Sequence, residues 1–141
     1  MAKSNKVDPK VFFIIFTLLG ALFAIIDGFA HRSFFTGLYE ESLTASTRAE
    51  ALHPTISSIL TFFYAFLFTT FYVEKSVERN LNSGLKFGTL FGITAGFLIG
   101  ITTYIYMPIS FDLALNWIIL IIVESIVGGA FIGTLANKLK L

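Results

Sequence analysis

The stretch from Gly84 to Gly100, GLKFGTLFGITAGFLIG, has glycine at every fourth position. Glycine in a helix interior costs about 1 kcal/mol relative to alanine in water, yet long apolar residues surround every one of these glycines. In a membrane, helices gain little by burying apolar surface against each other, and small residues four apart let two helix backbones approach closely. The stretch therefore predicts a membrane helix with a glycine packing face, formed by Gly84, Gly88, Gly92, Gly96 and Gly100.

The composition supports a membrane protein. Of 141 residues, 55% are hydrophobic and 13% are charged, whereas soluble domains carry about 25% charged residues. Apolar runs long enough to cross ~30 Å of hydrocarbon at ~1.5 Å per residue cover residues 11–30, 55–73, 84–107 and 111–135. The runs are continuous rather than alternating, which excludes membrane strands. We predict an all-α integral membrane protein, a compact bundle of four transmembrane helices in one domain (1–141) with an outer loop at 31–54.

The distribution of basic residues predicts an orientation. Eight of the ten Lys and Arg residues fall in the N-terminal tail, around the second loop or in the C-terminal tail. Positive charge favours the cytoplasmic side, so both termini are predicted to be cytoplasmic, in a bacterial inner (plasma) membrane. The net charge of +1 offers no basic face for nucleic acid. The predicted partner is therefore the lipid bilayer.

Small residues also recur in the other runs and predict further packing faces. Each four-residue step of the glycine row advances ~400° around the helix, so the row drifts by ~160° over its length. It must therefore face more than one neighbour, or its partner must cross at an angle, and we predict the third span to be the central helix. Packing within the chain is one interpretation, and a homo-oligomer or larger membrane complex is another. The further packing positions are Gly20 and Gly28 in the first run and Gly129 and Gly133 in the fourth.

Two carboxylates lie inside the apolar runs. Such groups are costly in lipid and are candidates for function by default. At ~100° per residue, Glu124 shares a face of its helix with Trp117, and Asp27 shares one with Gly20 and His31. Glu124 is predicted either to be a neutral acid that donates a hydrogen bond and holds the bundle, or to be a proton or cation site. Asp27 and His31, four residues apart, are predicted to pair on one helix.

The two histidines, His31 and His53, bracket the outer loop. With Asp27 they suggest a small metal site, since imidazole and carboxylate suit Zn, Mn or Fe. As a pair at similar depth they suggest axial ligands of a haem. Two ordinary interfacial histidines remain the simpler interpretation, so no cofactor is predicted. The chain has no cysteine, which excludes thiol chemistry, disulfides and cysteine-based metal sites.

Catalytic motifs are absent from the sequence. It contains no nucleophile elbow, phosphate-binding glycine loop or HExxH pair, which favours a non-enzymatic role as an accessory, scaffold or self-assembling helix bundle. The alternative is a small proton- or cation-coupled transporter that uses Glu124 and Asp27. A third interpretation is a redox protein that binds metal or haem through His31 and His53. A polar, water-accessible cavity that reaches Glu124 would favour the transporter.

Overall fold

The computed structural model describes residues 7–43, 54–76 and 78–139. Within these ranges the chain is helical and contains no strand. The five helices are α1 (Pro9–Ser33), α2 (Thr36–Leu43), α3 (Pro54–Lys75), α4 (Leu81–Tyr106) and α5 (Phe111–Leu139). The four long helices have the length and hydropathy needed to cross a membrane. This confirms the all-helical fold class and its four apolar helices.

Polar side chains fix where the helices begin. Asn80 accepts a hydrogen bond from the backbone N–H of Ser83 at 2.9 Å, and Ser83 Oγ accepts one from the N–H of Asn80 at 3.1 Å. This reciprocal capping box satisfies two otherwise free donors. Helix α4 therefore begins at Leu81, ahead of the predicted start at residue 84. Ser110 Oγ accepts from the N–H of Leu113 at 3.2 Å, at the start of α5.

The predicted outer loop is partly helical. Helix α1 continues to Ser33, so His31 lies in its last turn, and the short helix α2 follows. Phe35 is buried between them, and Thr36 Oγ1 donates to the carbonyl of Arg32 at 2.9 Å. Helix α2 contacts both α1 and α5. We call the end of the bundle where it lies the α2 end; here α1 ends, α3 begins, and α4 turns into α5.

All five glycines of α4 face α5. A Cβ on Gly84 would overlap the carbonyl of Gly129, one on Gly92 would lie 2.7 Å from Ser125 Cβ, and one on Gly96 would lie 3.0 Å from the carbonyl oxygen of Ile118. Real Cβ atoms do not occupy such positions without displacing the neighbouring backbone. The two helices are therefore in backbone contact along most of α4. Because the row drifts around α4, α5 must be inclined to α4 in order to follow it.

The prediction that the third span is central is wrong. Helix α5 contacts α4, α1 and α2, whereas α4 packs on α5 and makes few contacts with α3. Because α5 is inclined to α4, it alone contacts all five glycines of the row. Gly28 is not the packing position predicted from the sequence, since it is exposed and a Cβ there would meet nothing within 4 Å. Gly20, in contrast, packs under the ring of Phe62.

Helices α3 and α4 meet near the turn that joins them and separate toward the α2 end. Phe68 makes edge contacts with Phe87 and Phe91 at centroid distances of 4.9 and 5.0 Å. Tyr72 packs on Phe87, and its hydroxyl lies 3.1 Å from Ser83 Oγ. The described ring contacts between these two helices all involve Phe87 or Phe91, in the first half of α4. Beyond them a gap opens between α3 and α4.

Candidate binding cavity

The gap between α3 and α4 leads into a cavity of about 680 Å³, within the range of ~300–1,000 Å³ usual for small-molecule sites. Helix α3 supplies Leu60, Phe63 and Leu67, and helix α4 supplies Ile99. The floor is formed by α5, with further residues from α1 and α2 at the α2 end. Most of the wall is apolar. The polar side chains converge from α1, α2, α3 and α5: Asp27, His31, Tyr39, Ser57, Thr61, Tyr64, Trp117 and Glu124.

Three aromatic residues form a hydrogen-bonded chain at the α2 end. Trp117 Nε1 donates to the Tyr39 hydroxyl at 3.0 Å, and the same hydroxyl is hydrogen-bonded to Nδ1 of His31. An indole N–H can only donate, so the Tyr39 oxygen accepts from Trp117, and the Tyr39 hydrogen is available for donation to His31 Nδ1. Burial, the largest cause, raises the pKa of the Tyr39 phenol despite the opposing hydrogen bond from Trp117. The Tyr39 phenol thus keeps its hydrogen and can donate it to the imidazole.

The chain continues to Asp27. When Nδ1 of a neutral imidazole accepts, Nε2 carries the hydrogen, and His31 Nε2 lies 3.6 Å from Asp27 Oδ1. The other carboxylate oxygen, Oδ2, accepts from Thr61 Oγ1 at 3.2 Å. The Asp27–His31 pair predicted from the four-residue spacing is therefore present, and α3 adds a third member. About a third of each side chain of the pair remains exposed (33% for Asp27 and 38% for His31), so the pair is accessible from the cavity.

Glu124 lies deeper in the bundle than this chain. It is 13 residues from the start of α5 at Phe111, or about 20 Å along the helix. Its side chain is only 5% exposed, and it lines the same cavity as Asp27. Oε1 of Glu124 is buried and has no hydrogen-bond partner among the described residues. A buried, unpartnered carboxyl oxygen at a cavity wall is costly and can serve a ligand.

Tyr64 and Ser125 tie α3 to α5 beside Glu124. Ser125 Oγ donates to the carbonyl of Ile121 at 2.7 Å, which uses its only hydrogen. The Tyr64 hydroxyl, 2.7 Å away, is therefore the donor to Ser125 Oγ. These two hydroxyls satisfy each other and leave Glu124 without a donor from either. Neither Tyr64 nor Ser125 therefore supplies a hydrogen bond to the Glu124 carboxyl.

The predicted metal and haem ligands are brought together only in part. Asp27 and His31 are adjacent, but His53 lies outside the described residues, so these two predictions stay untested. Within 7–43, 54–76 and 78–139, no three His, Asp or Glu side chains are grouped closely enough to hold a metal ion. Glu124 shares the cavity with the pair but approaches it from another helix. The described arrangement is a cavity lined by two acids that come from different helices.

Comparisons with protein-family models, with curated proteins and with solved structures found no match for this chain.

Some cavity residues were not singled out from the sequence. Tyr39, Thr61 and Tyr64 are ordinary residues of apolar or loop segments, and they acquire a role only where α2 and α3 meet the other helices. Trp117 resembles an interfacial aromatic residue, although its indole N–H is in fact bonded within the bundle. The short helix at residues 36–43 places Tyr39 against His31 of α1 and Trp117 of α5.

Proposed function

We propose that this chain is a small membrane transporter that exchanges a cation for a proton, with Glu124 and Asp27 as the charged groups of its binding site. In this proposal the four long helices span the membrane and both termini are cytoplasmic. The observation that carries it is the unpartnered, buried Oε1 of Glu124 at the wall of a cavity that also contains Asp27 and His31. A Glu that only held the bundle together would be expected to have a hydrogen-bond partner.

The exchange balances in charge and protons. Without cargo, Glu124 is a neutral carboxylic acid, because an isolated carboxylate is costly in a low-dielectric site. When a cation binds, the carboxyl releases its proton, and carboxylate and cation neutralise each other. Release of the cargo on the other side lets the carboxylate take up a new proton. Asp27, held by His31 and Thr61, lies nearer the α2 end, where cargo and protons would enter or leave.

The accessory or scaffold interpretation is the weaker one. It rests on the small-residue rows and on the absence of catalytic motifs, and the glycine row of α4 is covered by α5 of the same chain. The row therefore no longer favours a homo-oligomer or a larger complex. The cavity has no evident use in a purely structural protein.

Proton flux tests the proposal. The purified chain is reconstituted into vesicles that contain a pH-sensitive dye, an acidic interior is imposed, and Na⁺, K⁺, Mg²⁺ and a panel of organic amines and quaternary cations are added outside. We expect the wild type to dissipate the gradient with at least one cation, and Glu124→Gln to abolish this. Glu74→Gln, the same change at an exposed carboxylate at the other end of α3, is the matched control and retains flux. No flux over the whole panel, or equal flux in Glu124→Gln, would overturn the proposal.

A further inference from the structure

We propose that the cavity binds a hydrophobic organic cation, which enters sideways from the bilayer through the gap between α3 and α4. This rests on the proposed function, since it assigns a substrate class to the same cavity and the same Glu124. It is a separate statement about chemistry and can be tested by binding alone.

The charge of the lining selects the sign of the ligand. The cavity wall contains two acids, Asp27 and Glu124, and neither Lys nor Arg. An anion would be repelled by either acid in its ionised form, and a neutral molecule carries no charge to balance a carboxylate. A cation is attracted to both acids. Burial strengthens this attraction, since charges interact more strongly at low effective dielectric than in water.

The rest of the lining selects an apolar body. Leu60, Phe63, Leu67, Ile99, Leu120 and Ile121 offer no polar group to a strongly hydrated ion. Phe63, Tyr64 and Trp117 also line the cavity, and aromatic rings attract cations. A small metal ion would gain from the carboxylates but would lose its water against the apolar wall. An organic cation with a large apolar part fits both the carboxylates and the apolar wall of the cavity.

The rim of the gap indicates the route. Leu60, Phe63 and Ile99 line the cavity and are also 61%, 57% and 44% exposed. On helices that span a membrane, such apolar, exposed side chains face lipid. Below them the aromatic contacts of Phe87 and Phe91 with α3 close the gap. The opening is therefore lateral and lies in the half of the bundle nearer the α2 end.

Binding can be followed with the chain's own tryptophan. Trp117 is the single Trp of the sequence and lies in the cavity wall. Tetraphenylphosphonium is titrated against the detergent-solubilised full chain, with tetraphenylborate, which has the same shape and the opposite charge, as the matched ligand. We expect a saturable change in Trp117 fluorescence with the cation, and affinity at least tenfold weaker for the anion. Glu124→Gln should weaken cation binding at least tenfold, and Glu74→Gln should not change it.

The outcomes separate this inference from the transport proposal. If tetraphenylphosphonium binds as described but drives no proton flux in vesicles, the ligand class stands and transport fails. If Na⁺ or another inorganic cation drives flux that depends on Glu124 and tetraphenylphosphonium does not bind, the transporter stands and the ligand class is wrong. Equal binding of cation and anion, or a Glu124→Gln variant that binds like the wild type, would also overturn the ligand class.

The lateral route has its own readout. In bilayers of lipids with brominated acyl chains, Trp117 should be quenched, and saturating tetraphenylphosphonium should protect it. Iodide in the aqueous phase is the comparison quencher. Quenching by iodide alone, with none from the brominated chains, would show that the cavity opens to water and would overturn entry from the bilayer.

Discussion

The Tyr64 hydroxyl lies 2.7 Å from Ser125 Oγ, on the residue of α5 whose backbone packs against Gly88 of α4. Ser125 therefore joins three helices at one level: its side chain bonds α3 and its backbone contacts α4. Helix α3 has few direct contacts with α4, so much of its position relative to α4 is set through this residue and the aromatic contacts below it. The same level carries Glu124, the next residue on α5.

The first prediction concerns this hydrogen bond. Ser125→Ala leaves the Tyr64 hydroxyl without its acceptor, and Tyr64→Phe leaves Ser125 Oγ with its donation to Ile121 alone. Each should lower the free energy of unfolding by about 1 kcal/mol. The double variant should lose less than the sum, with a coupling of about 0.5–1.5 kcal/mol. Denaturant titration in mixed micelles measures this. Thr70→Ala, which loses only a bond to its own helix at Phe66, is the control. Strict additivity would contradict the assigned bond.

The second prediction separates a packed glycine from an open one. Alanine at Gly88 would place Cβ against the backbone of Ser125, whereas alanine at Gly28 would meet nothing within 4 Å. We expect Gly88→Ala to destabilise the bundle by about 1–3 kcal/mol, because the two helices must move apart. Gly28→Ala should be neutral, or stabilising by up to about 1 kcal/mol, since alanine favours the helix. Thermal unfolding in detergent compares the two. Similar shifts in both variants would refute the contact with α5.

The sequence predicts the elements of this fold better than their arrangement. Hydropathy alone places the four long helices within a few residues, because a span that is apolar on all sides needs no tertiary context. Which helices pack against each other cannot be predicted in the same way. The drift of the glycine row is compatible with two partners or with one inclined partner, and only the surface of α5, with Gly129, Ser125 and Ile118 facing the row, decides between them.

The candidate site could be predicted only in its charged residues. Glu124 and Asp27 stand out because carboxylates are rare in apolar runs, and the Asp27–His31 pair follows from helical spacing. Tyr39, Thr61 and Tyr64 reach the cavity through contacts between helices that are distant in sequence, for example Trp117 with Tyr39. Such contacts leave no periodic signal in one chain. The cavity itself arises because α3 and α4 diverge, which no local pattern records.

The third prediction fixes the tautomer of His31. Trp117 donates to the Tyr39 oxygen, and we predict that Tyr39 in turn donates to Nδ1, so that the neutral imidazole carries its hydrogen on Nε2, toward Asp27. Nitrogen-15 spectra of the imidazole at alkaline pH distinguish the two tautomers, and His31→Gln identifies the signal against that of His53. Tyr39→Phe should shift the Nδ1 signal and also the indole N–H of Trp117, which loses its acceptor. Trp117→Phe should leave the tautomer in place. A hydrogen on Nδ1 of the wild type would contradict the chain of donors.

The last prediction tests the proposed orientation. With four crossings, the turn between α3 and α4 and the C-terminal end of α5 lie on one side, and α2 lies on the other. The chain has no cysteine, so a single introduced cysteine is the only thiol in the protein that a maleimide can label. Lys75→Cys and Lys138→Cys alter exposed residues near the first side, and Gly37→Cys alters an exposed residue of α2 with open space around it.

In intact cells, a membrane-impermeant maleimide should label Gly37→Cys and leave the other two unlabelled until the membrane is permeabilised. The physical reason is the excess of Lys and Arg in the tails and the second loop, which retains those segments in the cytoplasm. Glu74→Cys, one residue before Lys75, is a second reporter for the same side and guards against a local effect of removing a positive charge. Labelling of Lys75→Cys and Lys138→Cys in intact cells would invert the topology, and the α2 end of the cavity would then face the cytoplasm. Labelling of one but not the other would mean that α4 and α5 do not both cross the membrane.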